Sequence, residues 1–335
     1  MNFQPALTSR LSQIVFASAL AFLPIRAVAL NFTPDASRVI SDPSYLPLGG
    51  QLFGSTEYSN SQTNSTTNNS TGALDSWNTT LNNTITQLVE FGLTDDLTLR
   101  ATGSYEWLET NTTPPAGAVT VTNSNGFSDT AFTALWRVLD EKDHPFNWDL
   151  TGAYTPNLIN AESASPIQEG TVARGGASAA FGTALSYKTK SFTLYGSGTA
   201  TCLDSRTILN PSNGTTTTFD SSWEYVFTLS TQTRFWDRWS LNAGLSSTFY
   251  DNQNASFVNA GNHLITFVDR PTGLTALTGS LNYQAVPNRF VVSLIYTHDF
   301  YGDGGNTYPA QPNSDTTITD KDENVLSGEL RYLLF

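Results

Sequence analysis

The residues of this sequence that could do chemistry are few, and most are single charges separated by small polar residues. Nine of them fall at positions that alternate with apolar residues, and they are Arg100, Glu106, Arg137, Asp149, Glu224, Arg234, Asp299, Glu329 and Arg331. Successive side chains of a strand point to opposite faces, so these charges share a face with Ser, Thr, Asn and Gln. An isolated charge buried in an apolar environment is costly, so the pattern predicts that this face lines an interior that holds water or partner charges.

The three histidines give no support for nucleophilic catalysis. His144, His263 and His298 are each followed two residues later by Phe, Ile and Phe. His298 and Asp299 are adjacent in an extended segment, so they point to opposite faces and are not expected to pair. A serine nucleophile needs a base within hydrogen-bond reach, and no spacing here predicts one. We therefore predict no catalytic residue, no metal site and no cofactor, and we expect the histidines at loops or interfaces.

The first 29 residues have the layout of a secretory signal peptide. Arg10 precedes a short apolar core at residues 14–23, and Ala27-Val28-Ala29 is a small-residue cleavage site. Ten apolar residues are too few to cross a bilayer as a helix, which needs roughly 20. We expect the mature chain to begin near Leu30, with an irregular N-terminal arm at residues 30–47 on the periplasmic side or inside the fold.

Composition excludes several classes of function. The formal net charge is −13, and removal of residues 1–29 would take away two arginines and no acid. An acidic chain lacks the basic patch that nucleic-acid binding requires, so no nucleic-acid partner is predicted. Cys202 is the only cysteine, which excludes an intramolecular disulfide. After the signal peptide no stretch of 18 residues is continuously apolar, so no transmembrane helix is predicted.

Alternation of apolar and polar residues runs from about Leu48 to the end of the chain. In residues 324–335 (NVLSGELRYLLF), Leu326, Leu330 and Leu334 share one face, while Glu329 and Arg331 share the other. We count about 12 such segments, of roughly 10 residues each, which suits strands that cross a bilayer. Aromatic residues at the segment ends fit the girdles of a membrane barrel.

The connections between these segments alternate between short and long. The long connections are rich in Asn, Ser and Thr and are predicted to be loops at residues 59–76, 111–125, 158–174, 203–219, 251–271 and 302–320. An even strand number with short turns at one end and long loops at the other is typical of bacterial outer-membrane barrels. The fold prediction is therefore all-β, a transmembrane antiparallel up-and-down β-barrel over residues 48–335.

The chain resembles bacterial outer-membrane β-barrels, in which a terminal strand ending on an aromatic residue, here Phe335, is the signal read by the barrel insertion machinery. The short connection Phe91-Gly92-Leu93-Thr94-Asp95-Asp96-Leu97-Thr98-Leu99 resembles the turn of small outer-membrane transporters of the phenol-degradation (MetA-pathway) type. That resemblance, over most of residues 48–335, implies uptake of small and in part aromatic compounds. It also implies the bacterial outer membrane as location, with membrane lipid and a small-molecule solute as partners.

The sequence leaves two interpretations of the interior open. In the first, the nine charges line a water-filled or partly plugged lumen, and the protein is a porin-like channel for passive passage of small solutes. In the second, the same charges cross-link a closed barrel that acts through its long extracellular loops. An outer-membrane enzyme is a third, weaker hypothesis. The outer-membrane phospholipase resembles the chain only in strand number and location, and its His-x-Ser arrangement is missing from the three histidine contexts.

Overall fold

The computed structural model describes residues 40–189, 191–259 and 261–334. The predicted signal peptide, residues 30–39 of the predicted arm, and Phe335 lie outside the described residues. In the described part, nineteen strands form one sheet, and the only other regular element there is a single 3-10 turn at Pro312–Ser314. No helix in these residues is long and apolar enough to cross a membrane.

The strands in chain order are β1 Leu52–Asn69, β2 Leu74–Gly92, β3 Leu97–Thr113, β4 Thr120–Phe127, β5 Ala131–Leu139, β6 Asn147–Thr155, β7 Ala161–Glu162, β8 Ser178–Lys188, β9 Phe192–Leu203, β10 Arg206–Asn210, β11 Thr215–Phe219, β12 Ser222–Phe235, β13 Trp239–Tyr250, β14 Gln253–Val258, β15 Leu264–Arg270, β16 Leu274–Val286, β17 Phe290–Tyr301, β18 Gly304–Thr307 and β19 Thr316–Leu333.

Twelve of these strands close into an antiparallel barrel, which confirms the predicted fold. They are β1, β2, β3, β5, β6, β8, β9, β12, β13, β16, β17 and β19, and each pairs with its two neighbours in that order. Strand β1 pairs with β2 on one side and with β19 on the other, from Phe53 opposite Leu333 to Asn69 opposite Thr316. This last pairing leaves no open sheet edge, as a hydrocarbon environment requires.

The two faces of the barrel differ as the alternation predicts. On the outer face, Leu294 and Leu326 are 57% and 54% exposed, whereas their inward neighbours Ser293 and Ser327 are 2% and 4% exposed. Aromatic residues such as Phe91 and Trp223 are also exposed on the outer face near strand ends. An apolar exterior around a polar interior is the arrangement of a barrel that crosses the bacterial outer membrane.

The prediction that the long connections are loops is wrong for much of their length. Strands β4, β7, β10, β11, β14, β15 and β18 come from these connections, and they continue the barrel beyond its twelve-stranded part. The pairings run from β3 to β4 and from β10 through β11, β14, β15 and β18 to β19, while β7 pairs in parallel with β10. Backbone bonds between Asn125 and Gly170 and between Thr171 and Glu162 link β4 to β7. We call this second tier the extension.

The extension forms because its polar residues suit strands and turns even though they cannot build an apolar core. In β11 the run of threonines is β-branched, and each neighbouring strand supplies backbone partners. Asparagines make the turns at the tips. The Asn69 side chain accepts hydrogen bonds from the backbone of Thr71 and Ala73, and Asn213 does the same for Thr215. The composition therefore predicts correctly that these long connections are exposed to solvent, but it does not predict that their backbone is ordered.

The lipid-facing surface can be tested by placing a charge on each side of one strand. Leu294→Arg puts a guanidinium on the outer face of β17 and is expected to lower the free energy of unfolding by about 2–4 kcal/mol. Thr297→Arg, on the inner face of the same strand, is the control and should change the free energy of unfolding much less. The measurement is urea unfolding of the protein refolded into lipid vesicles. Equal losses for the two variants would contradict the assignment of faces.

Candidate functional site

The nine charges predicted from the sequence occupy two levels of the barrel. One level lies near the end of the barrel where short turns join the strands, which we call the short-turn end. The opposite end, which carries the extension, is the long-loop end. Near the short-turn end lie Arg100, Arg137, Asp149, Arg234, Glu329 and Arg331, and nearer the long-loop end lie Glu106, Glu224 and Asp299.

At the short-turn end, three of the four predicted arginines are paired with carboxylates on neighbouring strands or on their own strand. Arg137 makes a two-pronged contact with Asp149, at 2.8 and 3.1 Å. The Arg331 Nε donates to Glu329 at 2.9 Å. Arg100 donates to Glu90 at 2.6 Å, and Glu90 is only 2% exposed. A charge inside the wall is costly without a partner, and these pairs reduce that cost.

Residues 40–47 fill the middle of this end of the barrel. Ile40, Ser41, Asp42, Ser44 and Leu46 are each at most 3% exposed, although no strand contains them. The barrel wall therefore surrounds an inserted stretch of the predicted N-terminal arm. We refer to residues 40–47 as the plug.

Asp42 is the main ionic anchor of the plug. Its carboxylate lies 3.4 Å from Lys188 Nζ and 3.3 Å from Arg234 Nη2, and it accepts a hydrogen bond of 3.0 Å from the Thr193 hydroxyl. The backbone and hydroxyl of Ser44 donate to its other oxygen. Burial raises the pKa of Asp42, but Lys188 and the Ser44 hydrogen bonds together outweigh it, so the pKa lies below its usual range.

The backbone of the plug is also bound by side chains of the wall. Gln232 donates to the Ser41 carbonyl and Arg137 to the Ser44 carbonyl, both at 2.7 Å. Arg331 reaches the Ile40 carbonyl at 3.4 Å. A small apolar cluster completes the contact, in which Ile40 packs with Phe53 and Val291 and with the partly buried Tyr45, Leu88 and Leu333.

Three residues central to this arrangement are missing from the sequence-based set. Glu90 lies on the inner face of β2, and Lys188 is the last residue of β8. Asp42 lies in a segment with no period at all. Nothing in the sequence relates Asp42 to Lys188 or Arg234, which are far away along the chain. The signal that could have found it is a carboxylate next to a proline in a short arm, beside a lumen rich in arginine.

Above the plug the interior is polar and partly accessible. Inward residues such as Thr102, Ser197, Thr228 and Thr297 keep part of their surface exposed, in contrast to the tightly buried ring below them. Because small polar side chains line this region, it has room for water. The lumen is therefore filled at the short-turn end and roomier towards the long-loop end.

A group of charged and aromatic residues lines the lumen near the long-loop end. Tyr301 donates to Glu323 at 2.6 Å, and Lys321 Nζ lies 3.9 Å from the centre of the Tyr301 ring. Asp299 is opposite Glu323 in the sheet, and one of its carboxylate oxygens has no hydrogen-bond partner. Of the other two predicted residues here, Glu106 accepts a hydrogen bond from Ser104, and Glu224 pairs in register with Tyr250.

The surroundings of the histidines do not assemble catalytic groups. His298 is on the outer face, where its ring contacts the Asn324 amide at 2.9 Å, and Asp299 points the opposite way, as predicted. His144 and His263 are exposed, in a short turn and in a hairpin of the extension. Among the described residues, no group of three or more His, Cys, Asp or Glu side chains could hold a metal ion.

Comparisons with known proteins identify the fold. No protein family and no curated protein matches this chain. Among solved structures, an outer membrane channel from Pseudomonas putida F1 is similar with a TM-score of 0.56 and 15% identity, over 88% of this chain and 99% of that one. The transport unit of the autotransporter AIDA-I from Escherichia coli has a TM-score of 0.53 and 8% identity, over 95% of this chain and 97% of that one. At these identities the likeness is one of fold, and the fold is that of a bacterial outer-membrane β-barrel.

Proposed function

We propose that this protein is an outer-membrane channel for the passive passage of small solutes, with the plug as its closure. The observation that carries the proposal is the asymmetry of the lumen. Most of its length is lined by small polar side chains with accessible surface, and it is filled at one end by an inserted segment that belongs to no strand. A barrel that only needed a stable interior could be packed along its whole length.

The plug is suited to movement because polar contacts hold most of it. Asp42, Gln232 and the arginines of the wall bind it through hydrogen bonds and ion pairs, and the apolar contribution is one small cluster. Such contacts can be exchanged for water when the segment leaves. Loss of a single partner leaves an unpaired buried charge and typically costs about 3–5 kcal/mol. The plug is therefore held firmly but depends on few groups.

The fold indicates the orientation of the barrel in the membrane, and the resemblance to known channels and transporters indicates the class of solute. In outer-membrane barrels the short turns face the periplasm, so the plug would close the periplasmic mouth and the extension would form the external one. The Pseudomonas putida protein of similar fold is an outer membrane channel. The resemblance of the Phe91–Leu99 connection to phenol-degradation transporters favours small aromatic or hydrophobic solutes. The inward charges, from Arg100 to Arg331, would set the selectivity of the lumen.

A closed barrel that acts through its external surface is the second candidate. The filled short-turn end and the ordered extension favour it, because both features add rigidity without opening a path. The two candidates differ in one property. The channel must conduct when the plug is released, and the closed barrel must not.

Weakening the anchor of the plug should therefore raise conductance. Asp42→Ala removes the carboxylate between Lys188 and Arg234 and is expected to increase single-channel conductance in planar bilayers by about threefold or more, since the two cations left behind favour water over the plug. Asp143→Ala removes an exposed carboxylate from a short turn at the same end and is the control. Wild-type conductance in Asp42→Ala, and in a variant lacking residues 30–47, would favour the closed barrel.

Acidification should release the plug through the same carboxylate. Because the pKa of Asp42 is lowered in the plugged state, its contribution is fully present above about pH 3.9 and is lost as the pH falls through the lowered value. Lys188 and Arg234 then lose this carboxylate as a partner, while Glu141 binds Lys188 and Glu329 binds Arg331 in neighbouring ion pairs. Conductance should rise below about pH 4 in wild type and rise less in Asp42→Asn. Identical pH profiles in wild type and Asp42→Asn would show that Asp42 does not control the release of the plug.

Charge selectivity tests the inward arginines. In the Asp42→Ala background, Arg100→Ala or Arg234→Ala is expected to move the anion-to-cation permeability ratio towards cations by about twofold or more, because each removes a positive charge from the lumen. Arg238→Ala, at an exposed short turn, is the control. Reversal potentials in a salt gradient give the ratio. If the ratio stays the same in both variants, neither arginine lines the conducting path.

A further inference from the structure

The outer surface of the barrel contains a cavity beside the extension, on the side that faces lipid. Its volume is about 310 Å³, and much of its lining consists of one indole, three amides and two carboxylates, which belong to Trp107, Asn83, Asn123, Asn125, Glu109 and Glu169. Ligand pockets in proteins start at roughly 300 Å³, so the cavity has room for one small ring. The path through the lumen does not include it, because it lies outside the barrel wall.

The cavity spans the level at which the apolar band of the barrel ends. On β3 every outward residue from Leu97 to Trp107 is apolar, aromatic or glycine, and the next outward residue is Glu109. On β4, Phe127 is followed towards the long-loop end by the outward Asn125, which is opposite Trp107. Outward residues change from apolar to polar where a barrel leaves the hydrocarbon. A molecule in the cavity would therefore have one part among lipid headgroups and another in hydrocarbon.

An exposed indole forms the part of the cavity nearest the hydrocarbon. The Trp107 ring is 42% exposed, although it contacts the Tyr105 ring edge-on with ring centres 4.7 Å apart. Tyr105 in turn contacts Phe127 edge-on at 4.8 Å. These neighbours fix the indole in place and leave part of it to a ligand. Because the face of an aromatic ring is electrically negative, it attracts C–H groups such as those on the face of a sugar ring.

The amides of the cavity supply both donors and acceptors. The Asn83 carbonyl oxygen accepts hydrogen bonds from the Tyr58 hydroxyl at 2.7 Å and from the Asn60 amide at 3.0 Å. Both bonds use the oxygen, so the NH₂ group of Asn83 is the part left to donate. The Asn125 NH₂ group donates to Glu169 at 2.7 Å, which leaves its oxygen to accept. Hydroxyl groups both donate and accept, so they match such a surface.

Two carboxylates on this surface make it unsuitable for an anion. Backbone hydrogen bonds of 3.2 and 2.9 Å join Gly170 to Asn125 and Asn123, and they hold the adjacent Glu169 beside β4. Glu109 accepts a hydrogen bond from Asn111 at 3.0 Å, and a carboxylate has further acceptor positions. None of the described residues that line the cavity is Lys or Arg. A phosphate group would therefore meet like charge without a counter-ion.

We propose that this cavity binds the sugar headgroup of a glycolipid in the outer leaflet of the membrane. The C–H face of the sugar would stack on Trp107, and its hydroxyls would bond to Asn83, Asn125 and the two carboxylates. The acyl chains would lie along the apolar outward residues below, such as Phe127, which is 65% exposed. A sugar free in water would lack this apolar anchor, and a phospholipid would bring its phosphate to the carboxylates.

The test compares two lipids with the same acyl chains, monoglucosyl diacylglycerol and phosphatidylglycerol. The full mature protein is refolded into phosphatidylcholine nanodiscs that contain equal small amounts of both, and native mass spectrometry measures the fraction of protein that retains each lipid. Wild type is expected to retain the glucosyl lipid about fivefold more than phosphatidylglycerol. Methyl glucoside in millimolar excess should leave this retention unchanged, because it has no acyl chain.

Substitutions in the cavity should change this preference in two different ways. Trp107→Leu keeps an apolar side chain but removes the ring, and it should lower retention of the glucosyl lipid about fivefold. Glu109→Gln combined with Glu169→Gln should raise phosphatidylglycerol relative to the glucosyl lipid by a similar factor, because the repulsion is gone. The matched control is Trp223→Leu with Asp251→Asn, an outward indole and an exposed carboxylate near the long-loop ends of β12 and β13, and it should change neither lipid.

Equal retention of the two lipids by wild type would overturn the proposal, and so would equal effects of Trp107→Leu and Trp223→Leu. Displacement of the glucosyl lipid by methyl glucoside would show that a free sugar is the ligand, and it would overturn the assignment to a lipid. The wild-type comparison requires no variant, so it remains decisive if a substitution prevents folding. The result is independent of conduction, because the cavity and the plug lie on opposite sides of the barrel wall.

Discussion

The structure depends on one constraint, which is that a backbone crossing hydrocarbon must pair all of its polar groups within the protein. The β1–β19 pairing meets it by joining the first and last strands of the barrel, which lie far apart in the sequence. Once the sheet closes, every second side chain faces lipid and the others face a shared interior. Leu294 and Ser293 show how complete the separation is, because adjacent residues lie in hydrocarbon and in a polar lumen.

Closure then creates a second problem, because the charges turned inward must find partners in a confined space. At the short-turn end a continuous set of contacts solves it. Glu141 binds Lys188, Lys188 also lies near Asp42, and Asp42 lies beside Arg234. Without Asp42, Arg234 would lack a carboxylate among the ion pairs described here. The plug is therefore as much a counter-ion for the wall as it is an obstacle in the lumen.

How much of this the sequence predicts depends on the range of the interaction. Alternation is local, so the twelve strands and the inward position of Arg100, Arg137 and Arg234 follow from it. Partner choice is not local. The contact of Asp42 with Lys188 and the pairing of β11 with β14 join residues that are far apart in the sequence, and no repeating pattern of residues relates them. The Thr-rich strands of the extension escaped prediction for the same reason, since their order comes from neighbouring strands and not from a buried face of their own.

Ion pairs and hydrogen bonds hold the plug at the short-turn end of the lumen, and this has a physical consequence. Removal of one charge from such a set leaves another charge buried and unpaired, so the set depends on each of its members. A segment held by apolar packing would instead lose its contacts in small steps, because each such contact is individually weak. The arrangement of charges around Asp42 therefore suits the role proposed for the plug, which is to close the lumen and to be released when one carboxylate is lost.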